Sequence, residues 1–465
     1  MMTNDDKSLR FFFFSLLAGF CLLTPVTAGA VEVERVVSPM GIEAWLVEND
    51  SIPVISMEFA FLGGTATDPE GKAGRANLVS VLLDEGAGDL DSQEFQGRLS
   101  DSAISLSFDA GPDAFFGSLQ TVSRFSGEAF ELLRLAINEP RFDEEPVERM
   151  RAAVAASIRQ QTGDPGWLSR RAFYDLAYPD HPYGDPSRGT IETLNDLTVE
   201  DLRTFVEERL ARDNLLIGVT GDISAEELAP VLDDVFGGLP AESAPFDIPA
   251  VEMQGQGQTV LVERDGPQSI LLMAQPGISR DDPDYYPALV MNYILGGGGF
   301  ESRLTQELRA ERGLTYGVSS YLVENEKTTM LMLDTSLTNQ NVATAIDLIR
   351  QEWRRMKEEG ATQEEVDGAK TYMTGSFPLA FTSTDRIAGT LLFMQLHDLG
   401  IDYIDTRNDR VEAVTLEQVN AVAERLLDPA ALATVVVGDP ADDIGPEITR
   451  QAADIVAREL GRGGS

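Results

Sequence analysis

Thiols and imidazoles are nearly missing from this sequence. Its 465 residues hold one cysteine, Cys21, and two histidines, His181 and His397. A single cysteine excludes an intrachain disulfide. The three residues together cannot supply the four ligands of a closed Cys/His zinc site. Basic side chains are scarce as well: 36 Lys and Arg face 77 Asp and Glu, for a net charge of −41. A surface that acidic repels phosphate backbones and argues against nucleic acid as a partner. It reads as a solubility charge, with a preference for basic peptides as the sharper alternative. Disorder is not implied, because 43% of the residues are hydrophobic and the charges are dispersed. Catalytic signatures are missing too. No G-x-S-x-G elbow occurs, so a serine nucleophile has no support, and neither H-E-x-x-H nor H-x-x-E-H is present. The run Gly296-Gly297-Gly298-Gly299 lacks the Lys-Ser/Thr of a phosphate loop and the spacing of a dinucleotide fingerprint. It reads as a hinge or a close backbone contact.

What is present begins with an N-terminal targeting pattern. Lys7 and Arg10 precede an apolar run from Phe11 to Leu23, Pro25 breaks it, and Ala28-Gly29-Ala30 offers a small-residue cleavage site. This predicts a signal peptide over 1–30 and an exported, periplasmic mature chain that has lost Cys21. The alternative is a membrane anchor, but the run has 13 residues, short of the roughly 20 that span a bilayer. No later segment is apolar enough, so no stable membrane span is expected once the signal is removed.

The length exceeds one ordinary core, and an internal repeat accounts for it. Leu197-Thr198-Val199-Glu200-Asp201-Leu202 leads to Leu215-Leu216-Ile217-Gly218-Val219-Thr220-Gly221-Asp222. Val414-Thr415-Leu416-Glu417-Gln418-Val419 leads likewise to Leu432-Ala433-Thr434-Val435-Val436-Val437-Gly438-Asp439, offset by 217 residues without a gap. Thr198 and Thr415 read as helix N-caps, and the β-branched runs as buried strands closed by Gly-Asp. Glu128 to Asn138 echoes Thr344 to Arg354, and Ile104 to Phe108 echoes Tyr316 to Tyr321. Two homologous halves follow, over 31–239 and 259–465, joined by a Pro/Ala/Ser/Gly/Gln-rich linker over 240–258. Strands and long amphipathic helices mix in each, so the class is α+β, with a cleft between the halves.

Several strings resemble the M16 family, the pitrilysin or insulinase-like zinc peptidases with their processing-peptidase and core-protein relatives. They are Gly63-Gly64-Thr65 with Asp68-Pro69-Glu70-Gly71-Lys72-Ala73-Gly74, His181-Pro182-Tyr183-Gly184, and the ordered series Ile294-Leu295-Gly296-Gly297-Gly298, Ser302-Arg303-Leu304, Glu307-Leu308-Arg309 and Arg312-Gly313-Leu314-Thr315-Tyr316. The resemblance spans nearly all of 31–465. It implies two α/β-sandwich domains of the LuxS-like metallohydrolase type. The family's zinc motif sets two His one helical turn apart, with a Glu between them that activates the metal-bound water. The resemblance places those positions on Asn77, Ser80 and Val81, and the distal Glu at or near Ser157. Ligands and base are all replaced, so this chain is expected to bind no zinc on an otherwise intact, amphipathic helix. Asp84 and Glu85 read as solvated or capping groups, and His181 and His397 as structural.

An Arg and a Tyr that hold the substrate peptide in active family members match Arg309 and Tyr316. Arg309 is expected to end a helix begun near Ser302. Tyr316 is expected to start a strand and share one face with Val318 and Ser320. The resemblance thus implies a non-catalytic, substrate-binding subunit. Its partner would be an H-x-x-E-H-bearing homologue that holds the zinc, and peptides would be the substrates. The alternatives are a scaffold protein of the core-subunit type and a self-sufficient peptidase with a displaced metal site.

Overall fold

The computed structural model of the chain describes residues 32–461. The expected signal segment over 1–30, Cys21 included, lies outside the described residues. Alternating and β-branched runs form two six-stranded sheets. The first contains β1 (Glu34–Val37), β2 (Glu43–Glu48), β3 (Val54–Leu62), β4 (Ser105–Ala110), β5 (Ala114–Val122) and β6 (Leu215–Gly221), in the order β1-β2-β6-β3-β5-β4. The second contains β7 (Thr259–Glu263), β8 (Gln268–Pro276), β9 (Thr315–Asn325), β10 (Thr328–Thr338), β11 (Ala433–Gly438) and β12 (Ile448–Gln451), in the order β12-β7-β11-β8-β10-β9. Five strands correspond one to one. Only the outer strand differs: β1 runs antiparallel to β2, whereas β12 runs parallel to β7.

The repeat read from the sequence is visible in detail. Thr198 and Thr415 both cap helices, each accepting from the backbone N–H three residues on, at 3.2 and 3.3 Å. The matched strands β6 and β11 hold the same central place in their sheets. The echoed strings Ile104–Phe108 and Tyr316–Tyr321 fall on the edge strands β4 and β9.

One face of each sheet is covered by helices of its own half. The other face is covered by a helix lent by the opposite half. Helix Pro165–Ala177 of the first half lays Leu168, Ala172, Phe173 and Leu176 against Val260, Val262, Leu272, Ala433 and Val435 of the second sheet. Helix Thr384–Leu396 of the second half crosses β3 and β6, where Leu392 packs with Ala60 and Ala114. Gly218 on β6 permits that crossing, since a Cβ there would sit 2.5 Å from the Ala388 carbonyl oxygen. Gln395 donates to the Ile217 carbonyl (2.9 Å), and Ser56 donates to Thr384 Oγ1 (2.8 Å). Strands buried on both faces read as continuous apolar runs, and β11 is buried at every position.

Residues 240–258 form no helix or strand, yet they are docked. Ile248 and Met253 join the interface core, and Arg209 Nη1 donates to the Ala244 carbonyl (2.7 Å). Among the described residues no helix is long and apolar enough to cross a membrane.

Buried carboxyls make stability depend on pH. Burial raises Glu459 to about 7, against the opposing Arg171 guanidinium at 3.4 Å. Burial likewise raises Asp68 to about 6. Folded pKa values above the unfolded ones mean that the folded state binds protons more tightly. The stability gained is full below the unfolded values and is lost as pH rises through the folded ones. Burial pushes Glu365 upward too, but bonds from Arg303 and Thr362 outweigh it and hold it at about 2. Its contribution is lost as pH falls below about 4.5 toward that value. Melting temperature is expected to rise by about 2 °C or more between about pH 8 and about pH 5, and less so in Glu459→Gln. Scanning calorimetry over this range checks it; a profile that rises with pH contradicts it.

Candidate functional site

The positions that the resemblance assigns to zinc lie in the first half. The Asp68 carboxylate accepts from the backbone N–H of Gly74 (3.0 Å) and Ala76 (3.1 Å), which fixes the turn before helix Arg75–Ser80. Gly74 has φ +91°, and a Cβ there would lie 2.5 Å from the Arg188 carbonyl oxygen. The expected amphipathic helix is instead buried at all six positions. It lies among β4 and the helices Glu144–Gln161 and Val199–Arg209, so no face reaches water. Its one charge, Arg75, is held by Asp68 at 3.5 Å and lies over the Phe205 ring.

Asn77 and Ser80 are buried on this helix, and Val81 follows its end. Ser80 Oγ donates to the Asn77 carbonyl (2.8 Å), so the hydroxyl serves its own helix. Ser157 lies on helix Glu144–Gln161 and accepts from Arg188 Nη1 at 2.7 Å. These groups do not fit zinc. Val81 is apolar, Asn77 offers a neutral carboxamide, Ser80 and Ser157 offer only hydroxyls, and a guanidinium engages the Ser157 hydroxyl. Among the described residues no three His, Cys, Asp or Glu side chains gather as a metal would require. Asp84 accepts from Gln96 (3.0 Å), and Glu85 pairs with Arg149 (2.7 Å). Both His181 nitrogens are engaged, by the Tyr183 N–H and the Pro249 carbonyl. His397 packs against Phe393, its ring centroid 4.6 Å away.

The second half builds a different surface. The glycine run is a close backbone contact: a Cβ on Gly296 would meet Ser320 Oγ of β9 at 2.4 Å. Asn292 secures the contact, donating to the Ser320 carbonyl (3.2 Å) and accepting from Ser320 Oγ (2.7 Å). Two π-helical stretches follow one another here, Tyr293–Gly297 and Gln306–Glu311, a form that recurs at functional sites. Arg309 lies on the second, which continues from Arg303–Thr305 and is closed by Gly313 at φ +62°. Its guanidinium is exposed and sits 4.7 Å from the Phe300 ring centre. Among the described residues it has no acidic partner.

Tyr316 departs from the expected alternation. Val318 pairs with Thr335, but Thr315 pairs with Leu337, so β9 carries one extra residue there. This β-bulge shifts the phase of the strand: Thr315, Val318 and Ser320 are buried, while Tyr316 is turned out and 86% exposed. Two buried threonines satisfy the bulge. Thr315 Oγ1 accepts from the Gly317 N–H (3.1 Å) and donates to the Ser336 carbonyl (2.8 Å), and Thr335 Oγ1 donates to the Gly317 carbonyl (2.8 Å). A glycine inside a strand pattern signals a bulge, so Gly317 could have revealed it. Phe300, 67% exposed, was also missed, because a lone aromatic after a glycine run carries no pattern. The result is an outward guanidinium stacked on a ring and an outward phenol on a pinned strand. Such groups donate to carbonyl oxygens. Among the described residues no hydrogen bond joins either of them to Asn77, Ser80, Val81 or Ser157.

Comparison with known proteins finds the following similarities. Residues 196–373 match the family description "Peptidase M16 inactive domain". The "Non-peptidase homolog YmxG" of Helicobacter pylori is 25% identical over 379 residues, 80% of this chain and 86% of that protein. An "Uncharacterized zinc protease" of Streptomyces coelicolor is 27% identical over 290 residues, 61% of this chain but only 63% of that protein. The crystal structure of a peptidase M16 inactive domain from Pseudomonas fluorescens superposes with a TM-score of 0.82 at 26% identity, covering 90% of this chain and 99% of that one.

Proposed function

We propose that this chain, an M16-family homologue of the inactive kind that lacks the H-x-x-E-H motif, is the non-catalytic, substrate-binding subunit of a heterodimeric zinc metallopeptidase in the periplasm. The observation that carries the reading is the contrast between the two halves. Where the zinc residues would stand, Asn77 and Ser80 are buried, Val81 is apolar and Ser157 is taken by Arg188. Where the substrate pair would stand, Arg309 and Tyr316 point outward from elements fixed by buried hydrogen bonds. Donors held rigidly before the substrate arrives stabilise a developing oxyanion without reorganising. In this role the partner, an H-x-x-E-H-bearing homologue, contributes the metal and the base, and this chain grips the peptide.

The test is co-purification with such a homologue, followed by peptide-cleavage assays of each chain and of the mixture. Activity only in the mixture supports the proposal. An active isolated chain, or a mixture no faster than the partner alone, sinks it. The chain alone is expected to carry far less than stoichiometric zinc after purification, checked by elemental analysis; one zinc per chain contradicts this. A non-enzymatic scaffold is favoured by one observation, the name of the Helicobacter relative, and predicts association without any gain in cleavage.

A further inference from the structure

A cleft of 390 Å³ opens between the two halves. It lies at the C-terminal end of helix Glu144–Gln161, where Ile158 and Gln161 line it, and Asn325 and Glu459 close it from the second half. Trp167 and Tyr174 form part of its wall. Three guanidinium groups border it, and they are not equivalent. Arg171 is committed to Asp175, Glu459 and the Gly184 carbonyl. Among the described residues Arg170 has no hydrogen-bond or ionic partner. Arg188 has only neutral Ser157, which engages one of its donors. Two guanidinium groups thus reach one cleft without a carboxylate partner among the described residues. An unpaired guanidinium fork beside aromatic walls matches a carboxylate on an apolar body.

We propose that this cleft binds a carboxylate-bearing ligand, with Arg170 and Arg188 receiving the carboxylate and Trp167 and Tyr174 packing against its apolar part. A monoanion suits the site better than a phosphate dianion. Asp185 and Glu459 also border the cleft, and the field of the whole chain is repulsive to multiple negative charge. The cleft is built from this chain alone and is independent of the role proposed for Arg309 and Tyr316.

Calorimetric titration of the full chain tests this with four probes: benzoate, an N-acetylated tripeptide ending in phenylalanine with a free carboxylate, the same tripeptide as its amide, and inorganic phosphate. The free-acid peptide or benzoate is expected to bind, the amide at least about 10-fold more weakly, and phosphate more weakly still. Binding of benzoate as tight as that of the peptide assigns the site to a small free acid. Binding of the peptide alone assigns it to a chain terminus. Arg170→Gln is exposed and is expected to fold normally. It and Arg188→Gln should each weaken the acid by about 10-fold or more. Equal binding of acid and amide, preference for phosphate, unchanged affinity in both variants, or no binding by either acid overturns the proposal.

Discussion

Arg309→Ala in the mixed complex is expected to lower peptide cleavage by about 10²–10³-fold, with association between the two chains unchanged. The size follows from what the residue would do. A donor aimed at an oxyanion counts more in the transition state than in the ground state, so its loss falls mainly on kcat. Arg309 is exposed and pairs with no acid among the described residues, so its removal leaves no buried group unsatisfied. Tyr316→Phe keeps the ring and removes only the hydroxyl. A comparable fall there would place the phenol O–H, rather than the ring, in the reaction. Phe300→Ala should cost less, on the order of 0.5–1 kcal/mol, because it removes only the surface against which the guanidinium rests. Steady-state kinetics with a quenched-fluorescent peptide separate these cases, and binding by sedimentation or titration controls for assembly. Full activity in both Arg309→Ala and Tyr316→Phe would exclude the pair from the mechanism.

Phe173→Ala is expected to destabilise the whole chain by about 3–5 kcal/mol. Phe173 is fully buried on a helix of the first half, in a core it shares with Val260, Val262, Leu272, Ala433 and Val435 of the second sheet. The cavity therefore opens between the halves. Urea unfolding of the wild type should show one transition, by fluorescence and circular dichroism alike, and the variant one transition at lower urea. Two separated transitions, or a loss confined to one half, would show that the exchanged helices do not couple the halves.

The contrast between what the sequence disclosed and what it hid has a physical origin. Local signals were legible: the Thr198 and Thr415 caps, the buried β-branched strands and the glycine run all act within a few residues of themselves. The residue types at positions 77, 80, 81 and 157 were legible because type is what a sequence states directly. The helix exchange was not, because an apolar helix face does not state which sheet it covers; Leu168, Phe173 and Leu392 would suit either. The full burial of Arg75–Ser80 was hidden for the same reason, since it depends on helices far along the chain. The outward turn of Tyr316 was missed because a bulge is a property of two strands. Its stitching needs Thr335, which pairs from β10.

The exchanged helices also set an order on synthesis. Emerging from its N-terminus, the chain completes the first sheet with β6, ending at Gly221, but the helix that covers that sheet's outer face ends at Leu396. For the intervening stretch of synthesis, one apolar face of a finished sheet has nothing of its own to rest on. Contacts so distant in sequence make folding slow and late. The two halves therefore cannot finish packing on one another until synthesis has passed Leu396.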